Sequence, residues 1–235
     1  MVLQLNLLLF AMGRRVCMRL CLCLCLCFAL LSGCGIQNPV IDTFLYALPG
    51  GRQFATLNQG YDYVVVEFEG QAAVMALGSR RIEGVTPFED VFESWYNGQG
   101  EMLVLRNGRI YQAIGMAQEL RSQEGKPPRW REVADSSFDV AWARQLDRMP
   151  GYRFAAQEQI NTRKAPTPKG KFEGVGQDAQ WFVDEVQSQT RQGRPWRFTQ
   201  RFAVVNDRVV YSEQCVSESV CLKLRPINAV KAQSK

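Results

Sequence analysis

Two apolar-rich runs, residues 101–105 and 109–114, flank the dipeptide Asn107-Gly108. Asn-Gly between such runs favours a tight type I′ turn, because both central positions need positive φ and these two residues tolerate it best. A chain built around this unit folds as antiparallel strands, and much of the remaining sequence repeats the pattern. Residues 61–68 are rich in Val, Tyr and Phe and lead through Gly70-Gln71 into 72–77, which predicts a first hairpin with Glu67 and Glu69 sharing one face. Residues 91–96 end at Asn97-Gly98-Gln99-Gly100. Further on, 138–146 and 152–160 face each other across Met149-Pro150-Gly151, and 180–187 resumes a strand. Residues 196–205 and 208–214 flank Asn206-Asp207, and 221–225 adds a last strand. Residues 116–123 predict a short helix, and 161–176, rich in Lys, Pro, Thr and Gly, a long solvated loop. The expected fold is all-β, an antiparallel meander forming a sandwich or a partly open barrel with a short helix.

The N-terminus has a different character. Arg14, Arg15 and Arg19 precede an apolar run of alternating Cys and Leu over residues 20–31, and Leu31-Ser32-Gly33-Cys34 closes it. A basic flank followed by such a run is an export signal, and the four-residue ending matches the lipobox of bacterial lipoproteins. The chemistry needs Cys34 because its thiolate takes up the diacylglyceryl group, while Ser32 and Gly33 are small enough to admit the signal peptidase. A membrane-spanning anchor needs about 20 apolar residues, and this run is shorter. Translation starting at Met12 or Met18 would leave the cleavage site unchanged. Residues 1–33 are therefore read as signal peptide, 34–59 as the lipidated cysteine and a Pro/Gly-containing tether, 60–229 as a single β domain and 230–235 as a tail.

Removing 33 of 235 residues leaves 202, enough for one domain with a real core. The signal holds three of the 28 basic residues and none of the acidic ones, so the mature chain has 25 against 23. That near-balance argues against nucleic-acid binding, which shows as a strongly basic surface. Cys17, Cys21, Cys23, Cys25 and Cys27 leave with the signal and act there as apolar residues, not as a metal cluster. In an oxidising periplasm Cys215 and Cys221 are a natural disulfide pair.

Over residues 61–120 the chain resembles the YjbF-type group 4 capsule polysaccharide lipoproteins. The resemblance rests on a Val-rich strand, Ala73-Val74-Met75-Ala76-Leu77-Gly78, Ser94-Trp95, Leu103-Val104-Leu105-Arg106-Asn107-Gly108-Arg109-Ile110, Gly115-Met116 and Leu120. A weaker match covers 196–214 and ends on Ser212-Glu213-Gln214. Tyr96-Asn97-Gly98-Gln99 departs from the family's Ser and Asp after the tryptophan, and the Cys215/Cys221 pair lies outside its pattern. The resemblance implies an all-β lipoprotein held at the outer membrane and linked to capsule or exopolysaccharide production, with export proteins or the polymer as partners and no reaction attached. Gly35 agrees with outer-membrane sorting, since the commonest inner-membrane retention signal is an aspartate at that position.

The chain has no histidine. This excludes Ser-His-Asp and Cys-His nucleophile systems and the usual His-rich zinc sites, and no cofactor or metal is expected. A glycosidase needs only two carboxylates. Glu67 with Glu69, and Glu89 with Asp90 and Glu93, are the nearest candidates, but a solvated strand face is the simpler reading. Aromatic faces with arginines suit sugars, so Arg129-Trp130-Arg131 and Trp196-Arg197 are candidate glycan contacts, each with a core tryptophan as the plainer alternative. Arg106 and Arg109 beside the turn are expected to serve solubility and edge protection. Two other functions stay open: a carrier of lipid or another apolar ligand, favoured by a large apolar cavity, and a glycan-binding or glycan-modifying protein, favoured by a groove on a closed core.

Overall fold

Asn107 (φ 51°) and Gly108 (φ 80°) both take positive φ, as do Asn206 (49°) and Asp207 (62°), so the two tight turns form as their sequences require. In the computed structural model, which describes residues 57, 60–86, 88–189 and 194–228, such hairpins run in unbroken succession. The strands are β1 (Asp62–Phe68), β2 (Gln71–Glu83), β3 (Asp90–Tyr96), β4 (Met102–Arg106), β5 (Arg109–Ile114), β6 (Glu119–Glu124), β7 (Val140–Met149), β8 (Arg153–Ala165), β9 (Gln180–Gln189), β10 (Pro195–Val205), β11 (Arg208–Cys215) and β12 (Cys221–Asn228). Each pairs antiparallel with the next, and β12 returns to β1, with Val64 opposite Pro226 and Val66 opposite Leu224. The sheet is therefore a closed barrel, where the sequence suggests a sandwich or a partly open one. Closure removes both edges that an open sheet would expose.

Three local expectations change. Residues 116–123 give no helix: 119–124 are β6, because Leu120 is fully buried opposite Ala113 and pairing outweighs the helix propensity of so short a segment. The helix, α1 (Trp130–Asp135), lies in the connection from β6 to β7. Its first turn is held by Glu132, whose Oε2 accepts the Arg129 backbone N–H at 3.0 Å. The segment 161–176 divides. β8 continues to Ala165, and beyond it Phe172 packs against Trp181 (4.8 Å between rings) and Tyr211 (5.3 Å) on the outer wall, with Val175 and Ala179 beside them. Only part of it is a solvated loop.

The strands alternate direction, so the connections fall at two ends. One end holds the start of β1, the turns at 84–89, 107–108 and 206–207, α1 and the end of β12. The other holds the turns at 69–70, 97–101, 115–118, 150–152 and 216–220. Strand spacing alone would make a circular ring of this many strands about 18 Å across. The actual barrel is flattened. Gln214 on β11 reaches β5 on the facing wall, its side chain donating to Gly108 O and accepting from the Ile110 N–H, both at 2.8 Å. A sandwich-like core results inside a closed sheet.

Candidate functional site

The Asn107-Gly108 turn folds inward. Asn107 Oδ1 accepts the Val91 N–H at 2.8 Å, and its amide donates to Asp90 at 2.7 Å. A side chain at Gly108 would overlap Val209 of β11, so the close approach of the walls needs glycine there. Arg109, expected at the surface, is 3% exposed. Its guanidinium meets Asp184 through Nε (2.8 Å) and Nη2 (3.2 Å) and lies 3.7 Å from the Trp130 ring centre. Asp184 also accepts Thr162 Oγ1 at 2.6 Å, and Trp142 Nε1 donates to Thr162 at 2.9 Å. A surface role for Arg109 is thereby overturned: the turn delivers it into the lumen, where a bidentate carboxylate and an aromatic face replace its water. Arg106 does stay near the surface, paired with Asp90 at 2.7 Å.

Farther along the lumen, Glu158 sits between Arg144 Nε (2.7 Å) and Arg148 Nη2 (2.6 Å) and has no solvent exposure. Burial alone would raise the Glu158 pKa, but the two guanidiniums reverse the sign and hold it below the ordinary carboxylate value. Arg148 is shifted down by burial, against the pull of Glu158. It also donates to Val216 O (3.2 Å) and Ser188 Oγ (3.3 Å) across the barrel. Arg144 donates to Ile110 O at 3.3 Å, and Arg106 to Gly125 O at 2.7 Å. These two bonds lace a seam where β5 and β6 pair at only two positions, Gln112 with Arg121 and Ala113 with Leu120. The charged network therefore fills and stitches the lumen instead of lining an open cleft.

The carboxylates considered for catalysis do not assemble. Glu69 lies in the β1–β2 turn with φ 49°, off the strand that carries Glu67, so the two do not share a face. Glu89 accepts Thr86 Oγ1 at 2.5 Å, and Glu93 pairs with Arg80 at 2.9 Å. Asp90 would be raised by burial, but Arg106 and Asn107 hold it below its ordinary value, which suits a structural anion and not a proton donor. Among the described residues no group of His, Cys, Asp and Glu could hold a metal ion, and no helix is long and apolar enough to cross a membrane.

The first glycan candidate comes apart on burial. Trp130 is 2% exposed and plugs the lumen, packed on Phe182 and Phe202 with Nε1 donating to Asn107 O at 2.9 Å, so its face is not offered to a polymer. Arg129 lies over Phe88, and Arg131 pairs with Asp207 at 2.7 Å. Trp196 is half-buried and stacked on Phe198 at 4.1 Å, with Arg148 5.1 Å from its ring centre. Exposed Arg197 points to the opposite side of the strand. Cys215 and Cys221 are directly paired across β11 and β12 and form a disulfide. Leu31, Ser32, Gly33 and Cys34 lie outside the described residues.

At the end away from α1, Val66, Phe68, Met75, Met116, Val220 and Leu222 line an apolar recess of about 40 Å³. That volume admits about two or three water-sized groups, well short of a lipid chain. The sequence signal missed throughout was a single charge inside a buried run: Asp184 follows Trp181-Phe182-Val183, and Arg109 precedes Ile110.

Comparison with known proteins gives two findings. The family model described as group 4 capsule polysaccharide lipoprotein gfcB, YjbF matches residues 53–222. The crystal structure of the hypothetical lipoprotein YmcC from Escherichia coli (K12) is similar in fold, with a TM-score of 0.55 at 16% identity, over 79% of this chain and 90% of that one. No curated protein sequence matches.

Proposed function

Because the chain belongs to the YjbF family of group 4 capsule polysaccharide lipoproteins, we propose that it is a non-catalytic lipoprotein, anchored through Cys34 to the periplasmic face of the outer membrane, that assists production or export of a surface polysaccharide. The family match, which spans most of the barrel, carries this reading. The lipobox at Leu31-Ser32-Gly33-Cys34 and Gly35 after it supply the anchor and its sorting. The Cys215–Cys221 disulfide fits an oxidising compartment. A lumen filled by side chains argues against a conduit or a lipid carrier, and candidate carboxylates that are bonded elsewhere (Glu89, Asp90, Glu93) or do not share a face (Glu67, Glu69) argue against glycoside hydrolysis. Contacts with export proteins or with the polymer are what remain.

Deleting the gene should reduce surface polysaccharide, and restoring the wild type should recover it. An unchanged surface would count against the role. Cys34→Ala should abolish incorporation of labelled fatty acid and release the protein from membranes; a labelled, membrane-bound variant would remove the anchor. Direct contact with the polymer is a second reading, favoured by the stacked Trp196–Phe198 pair at the barrel end. Trp196→Ala should then weaken retention on immobilised polysaccharide while leaving the melting temperature near that of the wild type.

A further inference from the structure

Exposed large apolar side chains gather at the two ends of this barrel, five at one and three at the other. Among the described residues Tyr61 (53% exposed), Ile82 (58%), Val85 (74%), Phe88 (58%) and Phe138 (84%) all lie at the end where β1 begins and β12 stops. Tyr96, Tyr152 and Phe154 lie at the opposite end, and none is on the middle of the wall. Singly scattered apolar side chains need no explanation, but five at one end, two of them phenylalanines, do. The tips are also firmly presented. The Phe88 N–H donates to Val85 O at 2.5 Å, and the ring packs against the Arg129 guanidinium at 5.1 Å. Ser136 Oγ bonds both the N–H and the carbonyl of Phe138, at 3.1 and 2.6 Å, which turns that ring outward.

This is the end from which the chain leads back to Cys34. The 26 residues from Cys34 to the start of the described barrel at Gly60 could span about 90 Å if fully extended, so a tether alone leaves the body free to face either way. Holding the body near a bilayer raises the local concentration of lipid so far that a weak apolar contact suffices to orient it. Several charges at this rim are paired, Arg131 with Asp207, Arg81 with Glu83, and Arg80 with Asp62 and Glu93, while Arg129 lies over Phe88 and Lys126 and Arg208 are exposed cations suited to anionic headgroups. The occupant that fits an apolar rim beside a lipidated tether is the phospholipid surface that holds the anchor. We infer that Val85, Phe88 and Phe138 insert at the headgroup boundary of that membrane, so that the opposite mouth, with Tyr152 and Phe154, faces the periplasm. The inference rests on the anchoring proposed above.

The test uses the full-length lipidated protein, purified in detergent and reconstituted into vesicles of phosphatidylethanolamine and phosphatidylglycerol. With Cys34 acylated and Cys215 bonded to Cys221, a single introduced cysteine is the one free thiol of the mature chain. Val85→Cys, Phe138→Cys and Tyr152→Cys would each carry an environment-sensitive fluorophore, with nitroxide-bearing lipid as quencher. Blue-shifted emission and several-fold stronger quenching at positions 85 and 138 than at 152 are the expected results. A protein that floats with the vesicles while 85 and 138 stay unquenched, or while 152 is quenched as strongly, overturns the orientation alone. A protein that does not float with the vesicles overturns the anchor and this proposal with it.

Discussion

The lumen has two halves built on opposite principles. Around β1 to β4 and β12 it is filled by Val64, Val66, Met75, Leu103, Leu105, Leu222 and Leu224, all buried, which gain by leaving water and need no partner. Around β7 to β9 the inward positions interleave Leu146, Ile160, Phe182 and Val186 with Arg144, Arg148, Glu158, Thr162, Asp184 and Ser188, equally buried but stable there only because each of these six is bonded. The first half tolerates loose shape at a graded cost. The second is conditional: remove one member and the others are left charged and unsolvated. A barrel of this many strands is wide, and the bonds across it from Arg148 and Gln214 draw facing walls to a fixed separation that apolar side chains specify less sharply.

Glu158→Gln tests the contrast most severely. With Arg144 and Arg148 left facing each other, it should cost about 3–5 kcal/mol, which lowers the melting temperature by about 10 °C or more in a domain of this size. Replacing all three with apolar residues of similar volume should recover much of that loss, and a triple variant as unstable as Glu158→Gln would break the distinction between the halves. In the apolar half, Leu103→Ala should cost about 2–4 kcal/mol in a denaturant titration, through lost burial and the cavity left behind. Gly108→Ala meets both positive φ and the Val209 side chain, and should cost about 1–3 kcal/mol by the same measurement.

Acid should sharpen the comparison by a smaller amount. Glu158 and Asp90 both have folded pKa values below their ordinary ones. Their stabilisation is therefore complete above the ordinary carboxylate range and is lost as pH falls through the depressed folded values. Asp90→Asn, at a partly exposed pair, should cost under about 1 kcal/mol at neutral pH. Its gap from the wild type should narrow as the solution is acidified, and a gap that widens with acid would contradict the sign.

The apolar half was legible in the sequence because short apolar runs and the turn residues that bound them mark strands and hairpins without reference to any distant partner. Residues 61–68, 72–77 and 101–105 show this, as do the Asn107-Gly108 and Asn206-Asp207 turns. The conditional half was not. Arg109 beside a turn and Asp184 within a strand each look like solvated charges, since the feature that permits their burial lies 75 residues away in the other. Trp130 was readable only as a choice between glycan contact and the plainer core position, because its neighbours in sequence are arginines, while its neighbours in space are Phe182, Phe202 and the Arg109 guanidinium.

Local chemistry determined the strand-and-turn rhythm, the lipobox, the cysteine pair and the family pattern, because each is set by residues adjacent or nearly adjacent along the chain. Tertiary structure alone decided that β12 would close on β1, that the barrel would flatten, and that three arginines would turn inward to meet two carboxylates. Those outcomes depend on pairings between distant segments, and the free energy of a buried charge is defined only by what stands opposite it.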